Sequence, residues 1–172
     1  MSAREVKGNM GKAKAMYEPV MQNIKIKDAG GRDMAWVESV CKSENPDILV
    51  LDMGDKFGVA GSYARPDEAL KACAIYARQL AKTYDCAVFY MSQLSADAEG
   101  RSQLNQSMME GSRTGKAAEA DLMILIGKAP TAVEGEKEDS PVRNINIVKN
   151  KLNGWHGIID VELDYQTARY HG

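Results

Sequence analysis

Three short aliphatic runs, separated by segments of helical periodicity, constrain the fold of this chain more than any other feature. They lie at 47–52, 86–91 and 122–126. Continuous apolar runs of this length are typical of strands that are buried on both faces of a parallel sheet. The segments between them place apolar residues three or four positions apart, as amphipathic helices do. This alternation predicts an α/β fold, in which helices flank a parallel sheet and the crossovers are right-handed.

The rest of the chain divides around these runs. Alternating residues predict a short strand at 24–28, and three segments near the C-terminus predict an antiparallel hairpin followed by a final strand. The acidic segment 129–140 is the best candidate for disorder or for a solvated hairpin tip. We expect one partial domain with four parts: an N-terminal helical segment (1–23), an α/β core (24–128), an acidic loop (129–141) and a C-terminal β-meander (142–172).

Composition excludes several classes of protein. The chain has 172 residues, of which 44% are hydrophobic, so it can bury a core and is not globally disordered. Its formal charge of -2 excludes a broad basic coat but permits a local basic site. The polar N-terminus and the lack of a long apolar run indicate no signal peptide and no membrane span. Three cysteines without CxxC spacing predict buried thiols in a reducing, cytoplasmic setting.

Polar residues end two of the predicted parallel strands, where ligands bind in sheets of this kind. Asp52 follows four aliphatic residues, which is the Walker B pattern for a carboxylate beside a nucleotide-bound Mg²⁺. Gln93 ends the next strand and could contact a terminal phosphate. The alternatives are structural, since Asp52 could cap the following loop and Gln93 could bond to backbone at the strand end.

Basic residues occur in two places that suit contact with phosphate. The long polar loop at 94–116 contains Arg101, Arg113 and Lys116, although such residues also serve solubility. Lys149 and Lys151 flank one residue of a predicted strand and therefore point the same way, either toward a phosphoryl group or simply into solvent.

A phosphate-binding P-loop is not found. The stretch Gly8–Lys12 fails the Walker A pattern, because Val6 occupies the position of its first glycine and Ala13 follows the lysine. No GxSxG elbow or HExxH motif occurs either.

The motifs, in this order, resemble the RecA-like motor domain of hexameric replicative helicases, namely the DnaB family and the phage primase-helicases. The resemblance extends from about residue 24 to the end of the sequence. The matching stretches are 46–52, 91–94, 111–122, 148–154 and 164–170.

The resemblance implies a role for each candidate residue. Asp52 would hold Mg²⁺ through water, since this ion usually keeps several of its waters, and Gln93 would sense the ATP phosphate. Lys151, where the family usually has an arginine finger, and its neighbour Lys149 would act in trans on the nucleotide of the next subunit of a homo-oligomeric ring. Five cations in the loops after Asp52 and Gln93 would face single-stranded DNA: Lys56, Arg65, Arg101, Arg113 and Lys116.

The resemblance also implies that part of the ATP site lies outside this sequence. In the family, the P-loop strand and the catalytic glutamate precede the matched region, and the P-loop strand lies between the runs at 86–91 and 122–126. We therefore expect either a gap between these two strands or their closure. We also expect no ATPase activity from this chain without an N-terminal half that carries the P-loop.

Two other functions remain open from the sequence. The chain could be a module that binds single-stranded DNA without nucleotide, or that caps a helicase ring. It could also be a relative of the RecA-like recombinases. The segment 149–154 favours the helicase branch only modestly.

Overall fold

The computed structural model describes residues 3–111, 115–128 and 140–172. The chain forms five helices and six strands in this part, which agrees with the predicted α/β class. The helices are α1 (Ala3–Gly8), α2 (Met10–Met21), α3 (Met34–Glu44), α4 (Pro66–Thr83) and α5 (Gly115–Glu119). The strands are β1 (Ile48–Leu51), β2 (Ala87–Tyr90), β3 (Leu122–Lys128), β4 (Val142–Asn150), β5 (Gly157–Asp164) and β6 (Arg169–His171). The acidic residues 129–139, predicted to be disordered or a hairpin tip, lie outside the described residues.

The strands form two separate sheets. β1 and β2 pair in parallel, with Leu51 opposite Tyr90 at their carboxyl ends. The second sheet has the order β3-β4-β5-β6, and its pairs are antiparallel. Within the described residues, no ladder joins β2 to β3. The sequence analysis expected either a gap between these two strands or their closure. The two strands have not closed into one ladder, which corresponds to the gap.

Local signals explain where the central helices begin and end. The Asp33 carboxylate caps α3 by accepting a hydrogen bond from the Trp36 amide at 2.9 Å. Asn45 ends α3 in the left-handed conformation, directly before Pro46, which disfavours further helix. α4 begins with Pro66 in its first turn, where the missing amide hydrogen costs nothing.

One core lies between the first sheet and its helices. α3 and α4 bury their apolar stripes against one face of β1 and β2. The prediction of buried thiols is confirmed, because Cys41 and Cys73 lie in this core and Cys86 is also buried. Residues of this core that are almost fully buried are Met34, Val37, Cys41, Leu51, Cys73, Ala77 and Leu80.

A second core lies between the inner face of β3 and the long loop that follows β2. The buried Asn146 amide orders this loop, since it donates to the Ser102 carbonyl at 3.0 Å and accepts from the Leu104 amide at 3.0 Å. Met123 and Leu125 of β3 pack against Leu104, Met108 and Met109 of the loop. Residues 94–111 of this loop thus pack as part of the fold, with two short 3₁₀ turns at Ala96–Ala98 and Gln106–Met108.

The prediction that the aliphatic strands are buried on both faces was wrong. Alternate residues of all three strands are exposed on one face. In the described residues, helices cover only the opposite face of β1 and β2, so the outer face has nothing packed on it. The large exposed residues of these strands are Ile48, Val50, Phe89, Leu122, Ile124 and Ile126.

The predicted strand at 24–28 was also wrong. These residues have no assigned secondary structure, and both Ile24 and Ile26 are exposed. Lys25 and Lys27 instead form ion pairs with Glu44 at the end of α3. A strand requires hydrogen-bonding partners on a neighbouring strand, and the described chain supplies none at this position. None of the described helices combines the length and the apolar character that a bilayer span requires.

Candidate functional site

Asp52 and Gln93 follow neighbouring parallel strands and lie at the same edge of the first sheet. The Gly54 amide donates to the Met91 carbonyl at 2.8 Å, and the Met91 amide donates to the Leu51 carbonyl at 3.1 Å. These bonds hold the two strand ends together beyond the last ladder pair. Both functional candidates are exposed, so a ligand at this edge could reach them together.

The donor set at this edge fits Mg²⁺ only together with phosphate and water. Within the described residues, no group of three or more histidine, cysteine, aspartate or glutamate side chains could hold a metal by itself. Mg²⁺ in nucleotide sites is usually bound through one or two carboxylates, with phosphate oxygens and waters completing its octahedron. A single exposed carboxylate at Asp52 matches that requirement.

A buried ionic cluster, which we name the Asp55 cluster, lies beside this edge and consists of Asp55, Tyr90, Ser92 and Lys116. The Lys116 ammonium donates to both carboxylate oxygens of Asp55, at 3.0 and 2.9 Å, and to the Ser92 hydroxyl at 2.8 Å. Tyr90 donates its hydroxyl to Asp55 at 3.0 Å, and Ser92 also donates to this carboxylate. Burial and the negative charge of Asp55 both raise the pKa of Tyr90, so the phenol stays protonated as a donor.

Lys116, one of the predicted DNA contacts, is buried in the Asp55 cluster. Its side chain is 4% exposed and its partner Asp55 is 15% exposed. All three ammonium hydrogens have acceptors within the protein, which leaves none directed toward solvent. Contact between Lys116 and DNA, which stays a prediction, would require the Asp55 cluster to open.

The other predicted DNA contacts have different environments. Lys56 is exposed in the 3₁₀ turn after Asp52, and Arg101 is exposed in the loop after Gln93. Arg65 is exposed just before α4 and forms ion pairs with Asp67 at 3.2 Å and Glu68 at 3.3 Å. Arg113 lies outside the described residues.

The two hairpin lysines, Lys149 and Lys151, contact α5 and the segment between α5 and β3, respectively. Lys149 donates to the Ala117 carbonyl, and both burial and the charge of Lys151 lower the pKa of Lys149. Lys151 lies 3.4 Å from Asp121, a carboxylate that Arg78 also contacts at 3.2 Å. Lys151 remains about half exposed, whereas Lys149 is engaged with the helix end.

Among the charged residues of these contacts, sequence reasoning missed Asp55, Arg78 and Asp121. Asp55 lies three positions after the Walker B aspartate, and no local pattern distinguishes it from a surface acid. Its partner Lys116 is 61 positions away, so the pair could be recognised only from the fold. Arg78 lies on the predicted α4, among polar residues that are typical of a solvated helix face.

Comparison with known proteins gives matches in structure and none in sequence. No family model matches the chain, and no curated protein matches it. A solved structure of a DnaB-like replicative helicase, described with its interactions with primase, has a TM-score of 0.74 and 19% identity. The match covers 91% of this chain and 40% of that one. A second solved structure, described as an ATPase domain, has a TM-score of 0.79 and 18% identity, over 99% of this chain and 65% of that one.

The chain thus spans less than two thirds of the length of either structure. At this level of identity the similarity establishes the fold. The fold matches the expectation drawn from the motifs, including the parallel pairing of β1 and β2, the two strands that precede Asp52 and Gln93. The chain therefore has a RecA-like α/β fold, which it shares with part of a DnaB-like replicative helicase and with part of the second structure, an ATPase domain.

Proposed function

We propose that this chain is the C-terminal part of a replicative DNA helicase ATPase domain. It completes an ATP site when a P-loop segment from outside its 172 residues joins the sheet. The observation that carries this proposal is the gap between β2 and β3, two strands with no ladder between them in the described chain. The exposed apolar face of both strands supports it, because an added strand with its helix would cover surface that now contacts water.

The candidate residues have separate roles in the completed site. Asp52 holds Mg²⁺ with water and phosphate oxygens, and Gln93 donates its side-chain amide to the terminal phosphate of ATP. Lys151 extends positive charge toward the nucleotide of a neighbouring subunit in a ring of identical copies. Lys149 supports the adjacent end of α5, which keeps the hairpin in place for that contact.

ATP hydrolysis by a reconstituted domain tests this assignment. The purified 172-residue chain should show no Mg²⁺-dependent hydrolysis, whereas its mixture with a polypeptide that carries a Walker A strand should form a stable complex and hydrolyse ATP. Loss of one acid–base or electrostatic group typically lowers the rate about 10²-fold, so we expect Asp52→Asn and Gln93→Ala to lower kcat by about that factor. Lys42→Ala, at an exposed position on α3, is the matched control and should leave kcat unchanged.

Hydrolysis by the chain alone would contradict the proposal. Failure of the Walker A polypeptide to bind would also contradict it, if the backbone amides of β2 and β3 still exchange with solvent in the mixture. Native mass measurement of the chain, alone and in the mixture, separates a failure to assemble from a failure to hydrolyse.

Single-stranded DNA is the proposed polymer substrate of the assembled ring. Lys56, Arg65 and Arg101 lie in the two loops that follow Asp52 and Gln93 and are exposed. Each phosphate contact that is lost should reduce the salt dependence of binding. For single strands, the slope of log K against log salt concentration should change by about 0.7 per contact. Lys56→Ala and Arg101→Ala should each produce this change with a labelled oligothymidylate, and Lys42→Ala should not.

The same titration tests the alternative that the chain is a nucleotide-independent DNA-binding module. Tight, salt-dependent binding by the chain alone, unchanged by ATP or by the Walker A polypeptide, would favour the module over the helicase part. An unchanged slope for both loop variants would exclude these two residues as phosphate contacts.

A further inference from the structure

We propose that Asp55 and Lys116 are positioning residues, whose buried ion pair fixes the Gln93 strand end and the start of α5 against the turn that follows Asp52. This inference rests on the proposed function for the identity of the parts that are held. The pair itself touches neither Asp52 nor Gln93 through any contact described above. It acts through the turn and the strand end to which these two residues belong.

The geometry of the Asp55 cluster favours a fixed arrangement. The three donors of the Lys116 ammonium meet three acceptors, namely both Asp55 oxygens and the Ser92 hydroxyl. Asp55 in turn accepts from Lys116, Tyr90 and Ser92. A network in which every member is satisfied specifies one arrangement of its side chains, because any shift leaves a buried polar group without a partner.

The members of the cluster come from three segments of the candidate site. Asp55 lies in the 3₁₀ turn Gly54–Lys56, which directly follows Asp52 and Met53. Ser92 precedes Gln93 just after β2, and Lys116 lies at the start of α5, immediately after the long loop. The Asp55 cluster therefore joins the turn after Asp52, the beginning of the long loop and the start of α5 at a single point.

The far end of α5 is also held by charged side chains. Arg78 of α4 and Lys149 of β4 both donate to carbonyls in the last turn of this short helix. Cations at a helix C-terminus satisfy its free carbonyls and complement its dipole. With both ends fixed, α5 cannot move away from the Asp55 cluster without breaking contacts to two other elements.

The energetics of the ion pair favour a role in positioning the strand end over a role in stabilising the fold. A buried ion pair carries a large desolvation penalty, and replacement by apolar residues of similar volume is often neutral or stabilising. The double variant Asp55→Leu/Lys116→Met should therefore keep the fold while removing all ionic links to Ser92. This substitution separates the two roles, since it preserves packing but not the hydrogen bonds that orient the strand end.

Amide hydrogen exchange on the 172-residue chain measures the positioning directly. The Gly54, Ser95 and Glu110 amides form backbone hydrogen bonds around the Asp55 cluster, to Met91, Met108 and Gln93 respectively. In the double variant we expect these three amides to exchange faster by about tenfold or more. The Tm should fall only by the cost of leaving the Tyr90 hydroxyl without its acceptor, and the exchange of the β4–β5 ladder should stay close to that of the parent chain. Lys25→Met, which removes an exposed ion pair far along the sequence, is the matched control and should alter none of the three amides.

Unchanged exchange at all three amides in a folded double variant would overturn the proposal. If the double variant does not fold, Ser92→Ala serves instead, because it keeps Asp55 and Lys116 paired but removes the link to the strand end. It should accelerate exchange at Ser95 and Glu110, and no acceleration there would equally overturn the proposal. These measurements need no ATP, DNA or partner, so their outcome is independent of whether the proposed helicase function is correct.

Discussion

The two faces of the β1–β2 sheet have similar residues and opposite environments. Leu49 and Leu51 point toward α3 and α4, and Leu51 is 3% exposed. Val50, between them in sequence, points the other way and is 54% exposed. Phe89 lies opposite Val50 in the ladder and is 55% exposed. One face is therefore buried in the core. The other has the apolar composition of a core surface, but no described element packs against it.

This difference bears on the proposal that the 172 residues form part of a larger domain. Exposed apolar residues that occur singly need no explanation, but several on one sheet face mark a surface made to be covered. In the described residues, the first sheet lacks a cover on its outer face and a ladder partner toward β3. Both features have one explanation in the proposal above, which is that a P-loop strand and its helix occupy this side of the completed domain.

Among the tests that compare the two sheet faces, substitution of Leu51 should have the largest effect on the free energy of unfolding. Leu51→Ala removes buried methyl groups from the covered face, and such changes typically cost about 2–5 kcal/mol. Urea denaturation of the chain, followed by far-UV circular dichroism, measures the change in the free energy of unfolding. A loss of this size would confirm that the covered face carries the stability of the isolated chain.

Val50→Ala is the matched control, because it changes the neighbouring residue of the same strand on the open face. We expect a loss below about 1 kcal/mol, which combines little lost burial with a lower strand propensity. A loss as large as that of Leu51→Ala would break the comparison, since it would mean that the open face is covered in solution. The cost of Val50→Ala should rise when the Walker A polypeptide is bound, because the open face is then covered.

The sequence predicted the elements of this fold well and their burial poorly. Apolar runs and helical spacing are local signals, so the three aliphatic strands form where the runs lie, and α3 and α4 form in segments with helical spacing. Burial depends on which other elements pack against a strand, and no described element covers Val50 or Phe89. The alternation at 24–28 failed for a related reason, because a strand without a ladder partner gains no hydrogen bonds.

The site divides in the same way between local and long-range information. Asp52 and Gln93 could be placed from the sequence because each follows an apolar run, and parallel strands end at a common edge. The Asp55 cluster could not, since its ion pair joins residues 61 positions apart. Lys116 illustrates the limit most clearly, because a lysine in a polar loop is expected to be a surface charge until the fold shows its buried carboxylate partner.

The smallest expected effect on stability concerns the segment at 24–28. Ion pairs between its lysines and Glu44, rather than strand hydrogen bonds, attach this segment to the fold. Hydrogen bonds from Lys25 and then Lys27 lower the pKa of the Glu44 carboxyl to about 2, from its ordinary value of 4.5. Because the folded pKa is below the unfolded value, the stabilising contribution is present above about pH 4.5 and disappears as the pH falls toward 2. The lysine ends of these ion pairs are exposed, so added salt should weaken the contribution.

Titration of the Glu44 carboxyl by NMR measures this attachment, with the double variant Lys25→Met/Lys27→Met as its control. In the parent chain the carboxyl should titrate with a pKa near 2, and in the control variant the pKa should return close to 4.5. An ordinary pKa in the parent chain would show that the two lysines do not hold the segment in solution. Binding of the Walker A polypeptide sharpens the test, because a strand that pairs with residues 24–28 would protect their amides from exchange, which charge pairing alone does not do.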